Sequence, residues 1–188
     1  MTEPYRVFTA LEDLESAVWH ELQQAASEPA HAWRRCVVAS VGPDGPEART
    51  MVLRECDPDE ARVVLYTDAR SPKLAQWAAD PRAQIVCWSA ALGWQVRLRA
   101  TVSVETEGLG VSTRWARVRF SPSAQDYLSH LPPGSPLADP PAVHANAVAH
   151  HCFAVVTADV HEIDWLALHP DGHRRARLGR RGRQWLVP

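Results

Sequence analysis

The chain has 188 residues and a mass of 20.9 kDa, with 46% hydrophobic and 22% charged residues, a globular composition at a length that buries about 70% of the unfolded surface. A net charge of -2 and a pI near 6.5 leave no bulk attraction for nucleic acid. No apolar run reaches about 18 residues, and the first eight residues, Met1 to Phe8, lack both a basic head and an apolar stretch, so the expectation is a cytoplasmic protein with no membrane partner.

Residues 11–26 read as a helix, with Leu11, Leu14, Val18, Leu22 and Ala25 on one face and acidic side chains in the first turns. Arg35 to Val41 is an apolar, β-branched strand, and Gly42-Pro43-Asp44-Gly45 is a turn. A second strand is expected from about Ala48 to Glu55, a turn at Cys56 to Asp59, and a third strand from Arg62 to Asp68. Ser71 as cap, Pro72 in the first turn, and a stripe of Leu74, Trp77 and Ala78 mark a helix that Pro81 stops. Gln84 to Ser89 is a fourth strand. From Gln95 to Glu105, polar residues alternate with Val96, Leu98, Ala100, Val102 and Val104, giving a fifth strand with one wet face.

A short helix is expected over residues 111–118, then a connection over 121–145 that holds six of the 15 prolines. Phe153 to Leu168 returns to strand in one or two pieces, Asp171-Gly172 is a hairpin turn, and Gln184 begins a last short strand. No linker or repeat interrupts the chain, so residues 1–188 read as one domain: an N-terminal helix, then a barrel and C-terminal hairpin over about 33–188. Many closely spaced antiparallel strands with inserted helices favour a barrel or roll over a parallel sheet.

Cys36, Cys56, Cys87 and Cys152 are far apart and form no CxxC pair; Cys36, Cys87 and Cys152 lie in hydrophobic runs and read as buried, reduced thiols. The basic residues are 19 arginines and one lysine, Lys73. Glycine-rich dinucleotide and P-loop motifs, HExxH and GxSxG are missing.

Two constellations remain. Residues Arg49 to Arg54, Tyr66-Thr67 and Ser71-Pro72-Lys73 place a strand, the end of another and the opening of a helix in succession. Lys73 in a first helical turn is electrostatically unfavourable unless an anion offsets it, and the hydroxyls of Thr67 and Ser71 complete what a phosphate needs. Arg49 and Arg54 differ by an odd number, so both serve one pocket only with a bulge or a strand end. The second constellation is Gln95-Val96-Arg97 on the wet face of the fifth strand.

With the terminal Trp185 to Pro188, these motifs stand in the order found in pyridoxamine 5′-phosphate oxidase-like flavoproteins, and the chain resembles the smaller FMN-binding branch of that family over about residues 30–188. The resemblance implies a mainly β fold, a six-stranded antiparallel Greek-key split barrel with flanking helices, that dimerises with FMN in two interfacial clefts. By motif position, Arg49, Thr50, Met51, Val52, Leu53 and Arg54 would line the flavin with Tyr66, Thr67 and Ser71, and Lys73 would hold its phosphate. From the second subunit, Gln95 would reach the ring, and Trp165 and Arg177 would close the site. The eight tryptophans would find cover in such an interface.

For a substrate phosphate, the resemblance points to Arg54 and to Trp115, Arg119 and Ser123, with Arg174 or Arg175 from the C-terminal run. Helical spacing puts Trp115 and Arg119 on one face. The chain departs from the oxidase where Trp115 replaces a tyrosine, Pro72 a basic residue and Arg54 a lysine, and the register of Arg174, Arg175 and Arg177 is open. The six arginines within 173–183 lack interleaved aromatics and read as a solvated hairpin rather than a nucleic-acid patch. His144, His150 and His151 show no metal-ligand spacing, so no metal is expected. The expectation is an FMN-dependent oxidoreductase of a small molecule, with no side chain marked as an acid or base. The alternative is a flavin- or haem-binding carrier, sensor or reductase partner on the same fold.

Overall fold

A computed structural model describes residues 7–139 and 151–188. In chain order the elements are α1 (Leu11–Ser27), β1 (Arg35–Gly42), β2 (Gly45–Asp57), β3 (Arg62–Asp68), α2 (Pro72–Ala79), β4 (Arg82–Ser89), β5 (Trp94–Glu105), α3 (Leu109–Val118), β6 (Phe153–Ala167), β7 (Arg174–Gly179) and β8 (Gln184–Leu186). All pairings are antiparallel in the order β3-β2-β1-β4-β5-β6-β7-β8, and β3 also pairs with β6. That extra pairing closes six strands into a barrel, as the motifs implied, and leaves β7 and β8 as a flap continuing the sheet beyond β6.

The interior follows the alternation of the strands. Val96, Leu98, Ala100 and Val102 of β5 are buried beside Ile163 and Trp165 of β6 and Val38 of β1. Their outward neighbours Arg99, Thr101 and Ser103 are exposed, the pattern of a sheet with one face on the core. Leu14, Val18 and Leu22 of α1 join that core together with Trp33 and Trp94 at one end of the barrel. At the other end α2 inserts Trp77, 3% exposed, and Pro81 after it accepts the Val102 amide. Arg34 ties down the end of α1 by donating to the carbonyls of Ala25 and Ala26.

Several boundaries differ from the sequence reading. β2 begins at Gly45, because Gly42 pairs directly with Gly45 and the hairpin has a two-residue loop. The 121–145 connection opens with a 3₁₀ helix, Pro122–Tyr127, whose Ala124 and Tyr127 are buried, Tyr127 in a cluster with Phe153, Val64 and Trp115. The inward residues of α2 are Gln76 and Trp77, whereas Ala78, assigned to the apolar stripe, is exposed. β6 is a single strand with a register break: Arg99 pairs with Glu162 but Ala100 with Val160, so His161 bulges outward. The flap packs closely at that bulge, since a Cβ on Gly179 would stand 2.5 Å from the His161 carbonyl oxygen. No helix among the described residues is long and apolar enough to cross a membrane.

Candidate functional site

Lys73 enters from the first turn of α2. Its Nζ donates to Thr67 Oγ1 at 3.1 Å and to Ser71 Oγ. Thr67 ends β3 and Ser71 precedes the helix, and both are buried, at 7% and 5% exposure. Contrary to the cap its position predicts, the Ser71 side chain makes no cap hydrogen bond and instead accepts from the lysine. Among the described residues Lys73 has no carboxylate partner, because buried Asp68 is engaged by Arg70 at 2.7 Å. Burial, and then the nearby Arg49 guanidinium, hold the Lys73 ammonium below the usual lysine value. Lys73 and Arg49 thus bring two cations near one helix start, where exposed amides and like charges favour a negative group.

Arg49 belongs to the same side of β2 as buried Met51 and Leu53. Its guanidinium donates to Ser40 Oγ at 2.6 Å, to Gln76 Oε1 at 3.1 Å and to Glu47 Oε2 at 3.1 Å. Thr50 and Val52 point to the other side of the strand.

Arg54 occupies a different place. Leu53 pairs with Leu65 and Glu55 with Val64, so Arg54 is the extra residue of a β-bulge. A bulge, one of the two ways by which both arginines could have served one pocket, is present, yet it does not bring Arg49 and Arg54 together. It places Arg54 and Glu55 side by side on the outer face and returns Cys56 to the core. The Arg54 guanidinium lies over the Tyr66 ring at 5.6 Å, and its buried Nε has no hydrogen-bond partner. Glu55 takes a two-pronged ion pair from Arg114 of α3, both contacts 2.8 Å, and a 2.7 Å hydrogen bond from the Tyr66 hydroxyl. Burial works to raise the Glu55 value, but these partners outweigh it and hold the carboxyl below the usual range. Burial and the adjacent Glu55 push the Tyr66 phenol up.

The helix residues expected to hold a substrate phosphate separate. Trp115 turns inward against His151, Phe153 and Tyr127, with ring centroids 4.4, 5.6 and 6.2 Å away. Arg119 turns out, over the exposed Phe120 ring at 4.8 Å, and Ser123 lies beyond it next to Ser121. The cation of α3 that reaches the Arg54 neighbourhood is Arg114.

Gln95 and Arg177 stand on the outer face of β5 and β7. In the closed barrel β5 is three strands from β2 in either direction, so within one chain these residues lie across the barrel from the Arg49 strand. Arg97 and Arg175 both bind Asp164, at 2.5 and 2.8 Å, while Arg177 lies 3.6 Å from Glu162. Arg174 faces the other way, donating to the Phe8 carbonyl and covering the Trp185 ring. Arg175 and Arg177 therefore share a face of β7, and Arg174 lies on the other. Trp165 is 1% exposed and sealed among Phe8, Trp94 and Trp185, so in the single chain it offers no surface to a ligand. Trp19, Trp33, Trp77, Trp94 and Trp165 are covered by the chain's own core rather than by an interface; among the described tryptophans, Trp88 and Trp185 stay exposed.

The outer face of β1, β4 and β5 curves with the flap around a concavity of about 940 Å³, lined by Ser40, Arg82, Arg99, Thr101, Arg177 and Arg183 among others. Exposed Val37, Val41 and Trp88 continue that face. Among the described residues no three His, Cys, Asp or Glu side chains are placed to hold a metal ion, and His144 and His150 lie outside the described residues. Ser40, Glu47, Gln76, Glu55 and Arg114 were not singled out by the sequence. The one signal for them was a polar Gln76 one turn after Lys73.

Residues 16–106 match the family model described as pyridoxamine 5′-phosphate oxidase, FMN-binding domain. Curated relatives named pyridoxine/pyridoxamine 5′-phosphate oxidase include those of Thermosynechococcus vestitus, 42% identical over 66 residues, and Gloeothece citriformis, 46% identical over 66 residues. Each alignment takes in 35% of this chain and 30% of the relative's length. Among solved structures, a pyridoxamine 5′-phosphate oxidase-related, FMN-binding protein of Nostoc punctiforme superposes with a TM-score of 0.69 at 23% identity, covering 92% of this chain and 96% of its own. PhzG of Burkholderia lata, solved with tetrahydrophenazine-1-carboxylic acid, gives 0.78 at 20% identity, covering 98% and 99%. At these identities the two superpositions establish the shared fold, and the family resemblance carried by the motifs is borne out.

Proposed function

We propose, from the match of residues 16–106 to the FMN-binding-domain model of pyridoxamine 5′-phosphate oxidase, that the chain binds FMN through the Lys73 cradle and acts as an oxidoreductase on a small molecule. The observation that carries this reading is Lys73 itself: a half-buried ammonium on two buried hydroxyls, near a second cation, Arg49, and with its nearby carboxylate, Asp68, already paired to Arg70. Lys73, Thr67, Ser71 and Arg49 fit a phosphomonoester, which supplies the missing charge and acceptor oxygens. Arg54 lies about 16 Å further along β2 and on the opposite face of its wall, so the phosphate cradle stands on Lys73, Thr67, Ser71 and Arg49 without it.

FMN, once bound, supplies the electron-transfer chemistry. The side chains bind, orient and shield. Lys73 and Arg49 anchor the anionic end, and Arg54, held flat against Tyr66, presents a guanidinium beside the aromatic wall of Tyr66 and Trp115. Glu55 and Arg114 neutralise each other and fix the Tyr66 hydroxyl.

Gln95 and Arg177 join this site only from a second copy of the chain, because one barrel keeps β5 and β2 on opposite walls. The curved outer face with exposed Val37, Val41 and Trp88 supports such a homodimer. The experiment is a visible absorption spectrum of the purified protein after incubation with FMN and gel filtration. A retained flavin spectrum that Lys73→Ala abolishes supports the reading; a colourless wild-type protein overturns it.

A further inference from the structure

The network behind Arg49 deepens the reading just given and rests on it. We propose that Gln76 is the positioning residue of the phosphate cradle, holding the Arg49 guanidinium in the plane and direction that pair it with Lys73.

Gln76 is 7% exposed in the middle of α2. Burying an amide is unfavourable unless its hydrogen-bonding groups are used. Its Oε1 accepts from Ser40 Oγ at 2.6 Å and from Arg49 Nη2 at 3.1 Å, and its Nε2 donates to Glu47 Oε1 at 2.7 Å. The amide has one workable orientation, because the flipped form would set its NH₂ against the guanidinium and its oxygen against the carboxylate. Ser40, 3% exposed at the end of β1, closes the ring by accepting from Arg49 Nη1 at 2.6 Å while donating to Gln76.

A guanidinium is a planar fork whose pairing with an oxyanion depends on direction as well as distance. On this frame both ends of the Arg49 fork are held, Nη1 by Ser40 and Nη2 by Gln76, with the half-exposed Glu47 carboxylate also on Nη2. Gln76 follows Lys73 by three positions, one helical turn, so the same stretch of α2 carries one cation of the cradle and the group that aims the other.

The test compares FMN with riboflavin, which has the same ring and no phosphate. Dissociation constants for both are measured by flavin fluorescence on the full chain, as wild type, Gln76→Leu and Ser40→Ala. Leucine keeps most of the volume and removes the polar atoms; Ser40→Ala removes one oxygen from the same ring should Gln76→Leu fail to fold. The expected result is an FMN affinity at least about tenfold weaker in Gln76→Leu and several-fold weaker in Ser40→Ala, with riboflavin binding within twofold of wild type in both. Equal losses for the two flavins mean a role in folding alone and overturn the proposal, as does unchanged FMN binding. A wild-type protein that does not distinguish FMN from riboflavin overturns the phosphate reading as well. Failure of the positioning role alone leaves that wild-type preference intact, which separates the two cases.

Discussion

Arg49 and Arg54, five positions apart on β2, are directed to opposite faces of the barrel wall. Arg49 joins Ser40, Gln76 and Lys73 at the end that α2 covers, while Arg54 lies over the Tyr66 ring on the outer side facing α3. A bulge at Arg54 is what seats Glu55 beside it on that outer side. One strand thereby carries the Arg49 network near Lys73 at one end and an aromatic, arginine-bearing wall at the other.

Removing the lysine tests the cradle directly. Lys73→Ala is expected to weaken FMN binding by about ten- to a hundredfold, the loss of one or two charge-assisted hydrogen bonds, with little change in the thermal midpoint of the ligand-free protein. Flavin fluorescence titration and a thermal melt of the same sample check both halves. A loss of flavin accompanied by a collapsed midpoint would instead mark Lys73 as structural.

Glu47 is half exposed and lies against Arg49 and Gln76. A carboxylate there competes with an arriving phosphate for the same guanidinium. Glu47→Gln is therefore expected to tighten FMN binding by about threefold at low salt, a gain that shrinks as ionic strength rises. Titrations in low and physiological salt check this, and weaker binding in the variant would refute it.

The Glu55–Arg114 pair sets a pH dependence. The Glu55 carboxyl is held below its ordinary 4.5 in the folded protein, so its contribution to stability is full above that value and is lost as pH falls through the folded value. With both side chains partly open to solvent, at 34% and 27% exposure, Arg114→Met is expected to cost about 1 kcal/mol near neutrality. The difference from wild type should narrow at pH 4 and below. Urea unfolding at pH 7 and pH 4 measures it; a gap that widens in acid contradicts the assignment.

The proposed homodimer is tested on the outer sheet face. Val37 and Trp88 are 42% and 46% exposed on the outer sheet face, so charging them costs the single chain little. The pair Val37→Glu and Trp88→Glu is expected to convert a dimer of about twice 20.9 kDa to a monomer, with FMN retention falling in parallel. Light scattering after gel filtration reads the mass, and a double variant that remains a dimer with FMN bound locates the interface elsewhere.

The local signals were strong where backbone chemistry is local. α1, β1, β3 and the first turn of α2 lie where apolar periodicity, alternation, Pro72 and turn residues placed them, because these depend on neighbours within a few residues. The Trp115–Arg119 pairing failed for a physical reason: helical spacing aligns two positions but does not say which one the core covers. Phe153, Tyr127 and His151 draw Trp115 inward, and Arg119, at the helix end, remains in solvent. Gln76 escaped notice because an isolated glutamine in an amphipathic helix looks like solvated surface until Ser40, Glu47 and Arg49 arrive from β1 and β2.

By itself, the sequence determined the strand-rich class, the barrel implied by its motifs, and the lone lysine at a helix start beside two hydroxyls. Each is written in short-range pattern or in motif order. The tertiary structure decided which face each arginine serves: the bulge at Arg54, the register setting Arg175 and Arg177 apart from Arg174, and the closure of β3 on β6 that sends β2 and β5 to opposite walls. These are long-range pairings, and in a strand a shift of one residue turns every side chain to the other face.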